Sequence, residues 1–193
     1  MNKLTPADLY TLEAYSRERP AFRARVLEHK QPRKVSIGAH VTLLFEDRLT
    51  IQYQIQEMLR VERIFEAAGI QDELDAYNPL IPDGSNLKAT MLIEYPDPEE
   101  RARRLLELHG IEHRIALHIE GLPPALAIAD EDMDRSTEQK TSAVHFLRFD
   151  LDGAQVGAFK RGAGVELRVN HPHYSERSVL NQASRSALAA DFD

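Results

Sequence analysis

The chain contains no cysteine. This absence excludes disulfides, thiolate nucleophiles, cysteine-ligated zinc and iron–sulfur clusters held by the chain itself. Any metal ion would have to bind histidine and carboxylate side chains, and the sequence has 8 histidines and 31 aspartates and glutamates.

Long apolar runs are also missing. No segment approaches the roughly 20 apolar residues that a membrane span requires. The first residues, MNKLTPADLY, lack the apolar stretch of a secretory signal. We therefore predict a cytoplasmic protein without a membrane span.

Catalytic sequence motifs are scarce. The sequence has no GxSxG, no GK[ST], no GxGxxG after a strand and no HExxH, so nothing indicates a hydrolase, a nucleotide-binding loop or a standard zinc helix. Enzymatic activity stays open, and the sequence favours a protein that binds rather than catalyses.

The composition is that of an acidic globular protein of 193 residues, with a formal net charge of −7 and 42% hydrophobic residues. This is enough apolar material for a core and too much for a disordered chain. We predict a single domain over 1–193, which could be divided into two lobes: a mainly helical part over 1–84 and an α/β sandwich over 85–193.

Capping residues and apolar periodicity predict an α+β fold. Residues 88–171 read as strand, helix, strand, strand, helix, strand, which is the ferredoxin-like split βαββαβ pattern of one sheet. An acidic loop that includes Asp130, Glu131, Asp132 and Asp134 interrupts it. The other predicted elements are a helical hairpin (Thr5 to Ser16 and Pro20 to just before Pro32), an extra strand over 35–45, a long helix over 48–68 closed by Gly69, a short helix over 72–77, and a closing helix over 175–190.

Acidic side chains project into the apolar stripe of the predicted long helix. Glu57 and Glu62 fall inside that stripe, whereas Arg60 and Arg63 fall on the wet face. A carboxylate facing a core needs a partner, either a cation of the protein or a bound metal. A structural salt bridge, with an arginine of the helical hairpin, is the simpler of the two hypotheses.

Histidines suggest a second candidate site. His171 and His173 flank Pro172 at a strand end, and residues two apart in an extended chain point to one side, as metal ligands can. With a carboxylate they could hold a divalent metal such as Mn, Fe or Zn. The alternative is that His171 is a core histidine with a satisfied hydrogen bond.

A polar sheet face is a third feature. His118 and Glu120 share one face of their predicted strand with Glu112 and Arg114, and Glu94 and Arg168 fall on matching positions of other strands.

The loop over 77–84 is rich in proline and ends in glycine. Tyr77, Asn78, Asp83 and Lys88 could supply binding groups from such a fixed loop. The same residues are equally typical of a turn between a helix and a strand.

Positive charge is concentrated over residues 17–34, which carry seven Lys and Arg against two Glu. Only one aromatic residue lies in this segment and the whole chain is acidic, which disfavours nucleic acid. The segment could contact an acidic partner or the protein's own carboxylates.

Several segments, in order and spacing, resemble the bacterial domain-of-unknown-function family 3501: FEDRLTIQYQIQEMLRVERIF, ELDAYNPLIPDGSNLKATMLIEYPD, VHFLRFDL and NHPHYSE. The resemblance spans nearly the whole chain. It implies no activity, but it implies a role beside a redox partner, a rubrerythrin-type protein or an iron–sulfur oxidoreductase, in peroxide defence. The family's motif positions match here at Glu57, Arg60, Glu62, Arg63, Tyr77, Pro82, His171 and Tyr174.

Three hypotheses of function follow. The first is a cytoplasmic accessory or binding protein that acts with a redox partner. The second is a small metalloenzyme in which His171, His173 and Glu57 or Glu62 bind a metal with an open position. The third is a small-molecule sensor that uses the long helix and the loop over 77–84 as a pocket. The sequence does not indicate the oligomeric state.

Overall fold

The computed structural model describes residues 2–129 and 141–192, which form six α-helices and nine strands. The helices are α1 (Leu12–Lys30), α2 (Arg48–Glu62), α3 (Ala67–Tyr77), α4 (Pro98–Glu107), α5 (Gly153–Lys160) and α6 (Gln182–Ala189). The strands are β1 (Lys34–Ile37), β2 (Val41–Phe45), β3 (Asn86–Ile93), β4 (Ile115–Ile119), β5 (Ala125–Leu126), β6 (Ile128–Ala129), β7 (Val144–Asp150), β8 (Val165–His171) and β9 (Tyr174–Val179).

The strands form two antiparallel sheets. The first sheet has the order β1-β2-β3-β7-β6, and the second has the order β5-β4-β8-β9. Alternate residues of both sheets pack into one apolar core, which Leu43 and Phe149 of the first sheet share with Leu117 and Leu167 of the second. Because side chains alternate along a strand, the other face of β4 and β8 is left to solvent.

The helices α2 and α3 pack around a smaller apolar cluster of their own. Ile55, Leu59 and Leu74 lie at its centre, and Leu4 and Ile81 close it from the N-terminal segment and the loop after α3. Tyr15, Phe22 and Val26 of α1 form a third cluster against α2.

The predicted α+β class is confirmed, but the single split sheet is wrong. The first and third strands of the pattern, β3 and β7, pair with each other as expected. The second and fourth, β4 and β8, pair in the other sheet. The physical reason is β2, which pairs with the free edge of β3 that the fourth strand of a ferredoxin-like sheet would occupy.

The predicted helical hairpin is a single helix. Pro20 lies inside α1, which begins after the N-cap Thr11. Pro20 has no N–H, so the carbonyl of Ser16 loses its hydrogen-bond donor within the helix. Both residues lie on the exposed side of α1, where water can satisfy that carbonyl. Burial of Tyr15 before the proline and Phe22 after it holds the two parts in line.

Three other predicted elements are each divided in two, and left-handed residues divide two of them. Gly38, with φ +70°, turns the predicted strand over 35–45 into the hairpin β1–β2. Arg63, with φ +57°, ends α2, so the predicted long helix becomes α2 and α3, and Gly69 lies within α3. The predicted closing helix over 175–190 is β9 followed by the shorter α6.

Elements with strong local signals were predicted closely. The second helix and the fourth strand of the pattern predicted over 88–171 are present as α5 and β8. Asp97 caps α4 by accepting a hydrogen bond from the backbone N–H of Glu100.

The predicted acidic cluster of Asp130, Glu131, Asp132 and Asp134 lies outside the described residues. Within residues 2–129 and 141–192, no helix has the length and apolar character needed to span a bilayer.

The tight turn at Gly38 gives a test of the packing between the hairpin and β9. A Cβ atom at Gly38 would lie 2.5 Å from Tyr174 Oη and 2.7 Å from Glu176 Cγ. Tyr174 Oη donates a hydrogen bond to Ile37 O and cannot move away freely. We expect Gly38→Ala to lower the free energy of unfolding by about 2–4 kcal/mol, measured by urea denaturation.

Gly121 is the matched control. It also has a positive φ, +78°, but an added Cβ meets nothing within 4 Å. Gly121→Ala should cost about 1 kcal/mol, from backbone strain alone. Equal losses in the two variants would contradict the packing described for Gly38.

Candidate functional site

The exposed side of the second sheet presents a cluster of arginines. Strand pairing places Ala116, Arg168 and Arg177 side by side across β4, β8 and β9. The next row consists of His118, Glu166 and Val179. We call this surface the outer face and define it by Arg114, Ala116, His118, Leu126, Glu166, Arg168, Asn170, Ser175, Arg177 and Val179.

The outer face contains a shallow concavity of about 790 Å³. The small side chain of Ala116 lies on its floor, and Arg114, Arg168 and Arg177 are among its lining residues. A second concavity of about 390 Å³ continues from it, because His118 and Arg168 line both. Together they form a groove along β4 and β8.

Glu166 is the acidic partner of two of these arginines. Arg168 donates through Nε to Glu166 Oε1, and Nη1 of Arg177 lies 3.8 Å from Glu166 Oε2. The hydrogen bond from Arg168 lowers the pKa of Glu166, so its carboxylate is charged at neutral pH.

Arg114 differs from the other two arginines. Its side chain is exposed, and no carboxylate of the described residues lies within ion-pair distance of it. Its backbone carbonyl accepts a hydrogen bond from the N–H of Asn170, which fixes the start of β4 against β8. The backbone of Arg114 is therefore fixed at one end of the groove, and its exposed guanidinium forms no hydrogen bond or ion pair with another described residue.

His118 lies between the arginines and the second concavity. Burial and the positive charge of Arg168 lower the pKa of His118, so the ring is neutral at pH 7. The fixed positive charge of the groove therefore comes from arginine, whose planar donors suit carboxylates and phosphates.

The sequence predicted part of this face. Arg114, His118 and Arg168 share it, as the predicted polar sheet face required. Glu112 instead lies buried in a short 3₁₀ helix before β4, and Glu94 follows β3 of the first sheet. Arg177 was missed because a helix was predicted over 175–190. The turn at Pro172 and His173 is the signal that could have indicated the hairpin β8–β9.

Glu57 has the arginine partner that its inward position predicted. Arg19 of α1 donates to it from Nε at 2.8 Å and from Nη2 at 2.9 Å. Tyr15 Oη donates to Glu57 Oε1 at 2.6 Å, and Arg60 Nη2 approaches Oε2 at 3.3 Å. These contacts tie α1 to α2, and the simple salt-bridge hypothesis accounts for them.

The prediction for Glu62 is wrong, because its side chain is exposed rather than turned into the core. Arg60 and Arg63 are also exposed, as expected for the wet face. Arg63 is the left-handed C-cap of α2, where its backbone N–H bonds to Leu59 O. Gln56 of the same helix is fully buried and bonds to the backbone of Tyr10.

The loop after α3 uses its polar groups to hold the N-terminal segment. Asn78 Oδ1 accepts from the N–H of Leu4, and its Nδ2 donates to Leu4 O. Lys3 Nζ donates to the carbonyls of Asn78 and Ile81. These hydrogen bonds give Asn78 a structural role.

The other candidates of that loop have local partners as well. Asp83 accepts from the N–H and hydroxyl of Ser85 and from Asn86 Nδ2. Tyr77 packs against the apolar cluster of α2 and α3. Lys88 Nζ donates to Pro79 O. The contacts match the turn hypothesis.

His171 matches the core-histidine alternative. The ring is buried, its Nδ1 accepts from the N–H of His173, and its Nε2 donates to His109 O at 3.1 Å. Both ring nitrogens are therefore occupied, whereas a metal ligand needs one free lone pair. His173 is exposed. No group of three or more His, Asp or Glu in residues 2–129 and 141–192 is arranged to hold a metal ion.

Three of the seven basic residues over 17–34 bind the protein's own carboxylates. Arg17 pairs with Glu13, and Arg19 pairs with Glu57. Arg33 is buried in a bidentate contact with Asp191, at 2.7 and 2.9 Å, and also contacts Asp47. Sequence reasoning missed the pair of Arg33 and Asp191 because 158 positions separate them.

The contacts of Glu57 give a pH-dependent test. They lower the pKa of Glu57 from 4.5 to about 2, chiefly through the hydrogen bonds from Arg19. A carboxylate with a depressed pKa stabilises the fold above its unfolded pKa and loses that contribution as the pH falls toward its folded pKa. We expect Glu57→Gln to destabilise the protein by about 1–3 kcal/mol at pH 7.

Urea unfolding of wild type and Glu57→Gln at several pH values checks this expectation. The difference between the two should be constant above about pH 5 and shrink between pH 4.5 and pH 3. Glu62→Gln, which removes an exposed carboxylate from the same helix, should change stability little. A difference for Glu57→Gln that does not vary with pH would contradict the ion pair's role.

Comparisons with known proteins agree with one another. A family model described as "Protein of unknown function (DUF3501)" matches residues 3–192. The chain is 51% identical to a protein of known crystal structure, a novel protein of unknown function from Burkholderia pseudomallei K96243. That match covers 100% of both chains with a TM-score of 0.95. No curated protein matches the chain.

Proposed function

The chain belongs to the DUF3501 family, and on that premise we propose that it is an accessory protein that binds an acidic segment of a partner protein on the outer face. Arg114 is the observation that carries this proposal. It is an exposed arginine without a carboxylate partner among the described residues, and it lies beside Arg168 and Arg177 in the larger concavity. Arg19 and Arg33, by contrast, are held in ion pairs within the fold.

The shape of the face favours a protein segment over a small molecule. Small-molecule sites usually bury most of the ligand in a deep cleft. Here the floor is a strand surface, and Leu126 and Val179 are 67% and 66% exposed at its two sides. A polar groove flanked by exposed apolar residues resembles a protein interface.

Binding rather than catalysis fits the chemistry of the groove. Guanidinium groups do not exchange protons near neutral pH, so arginine positions and neutralises anions rather than acting as acid or base. Glu166 is held charged by Arg168.

We propose that the partner is a redox protein of the cytoplasm, of rubrerythrin or iron–sulfur type. The family resemblance alone supports this assignment. Purification of the tagged protein from native lysate, with identification of retained proteins, tests it, and retention of no redox protein by the wild type would contradict it.

Binding of an acidic segment can be tested with a fluorescein-labelled oligoglutamate peptide and fluorescence anisotropy. We expect the wild type to bind the peptide and Arg114→Ala to lose about tenfold in affinity, because the variant removes charge-assisted hydrogen bonds. Affinity should fall as salt is added.

Arg148→Ala is the matched control. Arg148 is an exposed arginine on β7 of the first sheet and is paired with Asp150. This variant removes the same charge from another surface and should bind the peptide like the wild type. Equal losses for the two variants, or a wild type that does not bind the peptide, would contradict the proposal.

A further inference from the structure

The outer face contains its own competitor for an acidic ligand. We propose that Glu166 occupies Arg168 and Arg177 in the free protein and that an acidic segment binds by taking these two arginines from it. Glu166 would then set which ligands the face accepts. This inference rests on the proposed function, since it concerns the same groove.

The position of Glu166 is the first argument. It lies in the middle strand of the face, between His118 on β4 and Val179 on β9. Its side chain is 16% exposed, whereas the side chains of Arg168 and Arg177 are 48% and 74% exposed. The carboxylate therefore lies low in the face, and the guanidiniums that contact it reach toward solvent.

The uneven strength of the two contacts is the second argument. Arg168 donates directly to Glu166, but Arg177 reaches it only at 3.8 Å. The arginine ends of both pairs are exposed, and ion pairs open to solvent stabilise a protein by about 1 kcal/mol or less. A ligand carboxylate can exchange with Glu166 at little cost, because the arginines need not leave the surface.

The spacing of the cations indicates the ligand. Arg114 directly precedes β4, and its carbonyl accepts a hydrogen bond from the N–H of Asn170, which lies two positions beyond Arg168 on β8. This places the free arginine and the paired arginines in successive rows, about 7 Å apart along the strand. Acidic side chains at alternate positions of an extended peptide have the same spacing. A ligand with one carboxylate would gain a contact with Arg114 only. The face therefore selects a segment with repeated acidic residues.

Glu120 supplies a matched control for Glu166, because it is an acidic residue of the same groove without an arginine partner among the described residues. It lines the second concavity, and its Oε2 accepts from the N–H of Gly164 at 3.4 Å. No arginine of the described residues forms an ion pair with it. Glu120→Gln therefore removes the same charge from the same groove as Glu166→Gln, but releases no cation.

The test measures oligoglutamate affinity by anisotropy for wild type, Glu166→Gln and Glu120→Gln. We expect Glu166→Gln to bind about three- to tenfold more tightly than the wild type, and Glu120→Gln to show a clearly smaller gain. In the double variant Glu166→Gln with Arg177→Ala, most of the gain in affinity should disappear. Thermal unfolding of each variant checks that it is folded, and Arg177 is exposed enough to be replaced without loss of core packing.

The outcomes separate this inference from the proposed function. If the wild type binds and Glu166→Gln gains no more than Glu120→Gln, the competitor role is wrong and the binding role stands. If only Glu166→Gln binds, the competitor role is supported and the wild-type protein is not a receptor for this peptide. If neither protein binds, both proposals are overturned.

Discussion

Two antiparallel sheets that share one apolar core decide which side chains of this protein reach solvent. Leu117 of β4 and Leu167 of β8 point into that core and are fully buried. Side chains alternate strictly along each strand, so their neighbours His118, Glu166 and Arg168 must lie on the opposite side. The arrangement of charge on the outer face is thus a consequence of how the core is built.

The ion pairs of the outer face differ from those that hold the fold together. Arg33 and Asp191 are buried together, and Arg19 and Glu57 join α1 to α2. Breaking such pairs costs stability, which commits these side chains to the fold. The arginines of the outer face are exposed, and the contacts of Arg168 and Arg177 converge on one carboxylate. They can therefore change partners without disturbing the core.

Features that depend on neighbouring residues could be predicted from the sequence. The cap of α4 at Asp97, the helix α5 and the strand β8 have local signals, and the arginine partner of Glu57 followed from the cost of an unpaired inward carboxylate. The polar face of β4 and β8 followed from alternation.

Features that depend on contacts between residues far apart in the sequence could not be predicted. Assignment of β4 and β8 to a second sheet depends on β2 taking the edge of β3, which no local pattern records. The end of α2 at Arg63 requires a left-handed conformation that is rare for arginine. His171 illustrates the same limit at a site, because its hydrogen bond to His109 crosses 62 positions and uses the nitrogen that a metal would need.

The location of the bound acidic segment tests the account most directly. Backbone amide shifts of the isotope-labelled protein, followed by NMR during addition of oligoglutamate, report which strands the peptide touches. We expect the largest shifts at Ala116, Arg168 and Arg177, in the three neighbouring strands of the second sheet. Shifts concentrated in the basic segment over 17–34, with the outer face unchanged, would contradict it.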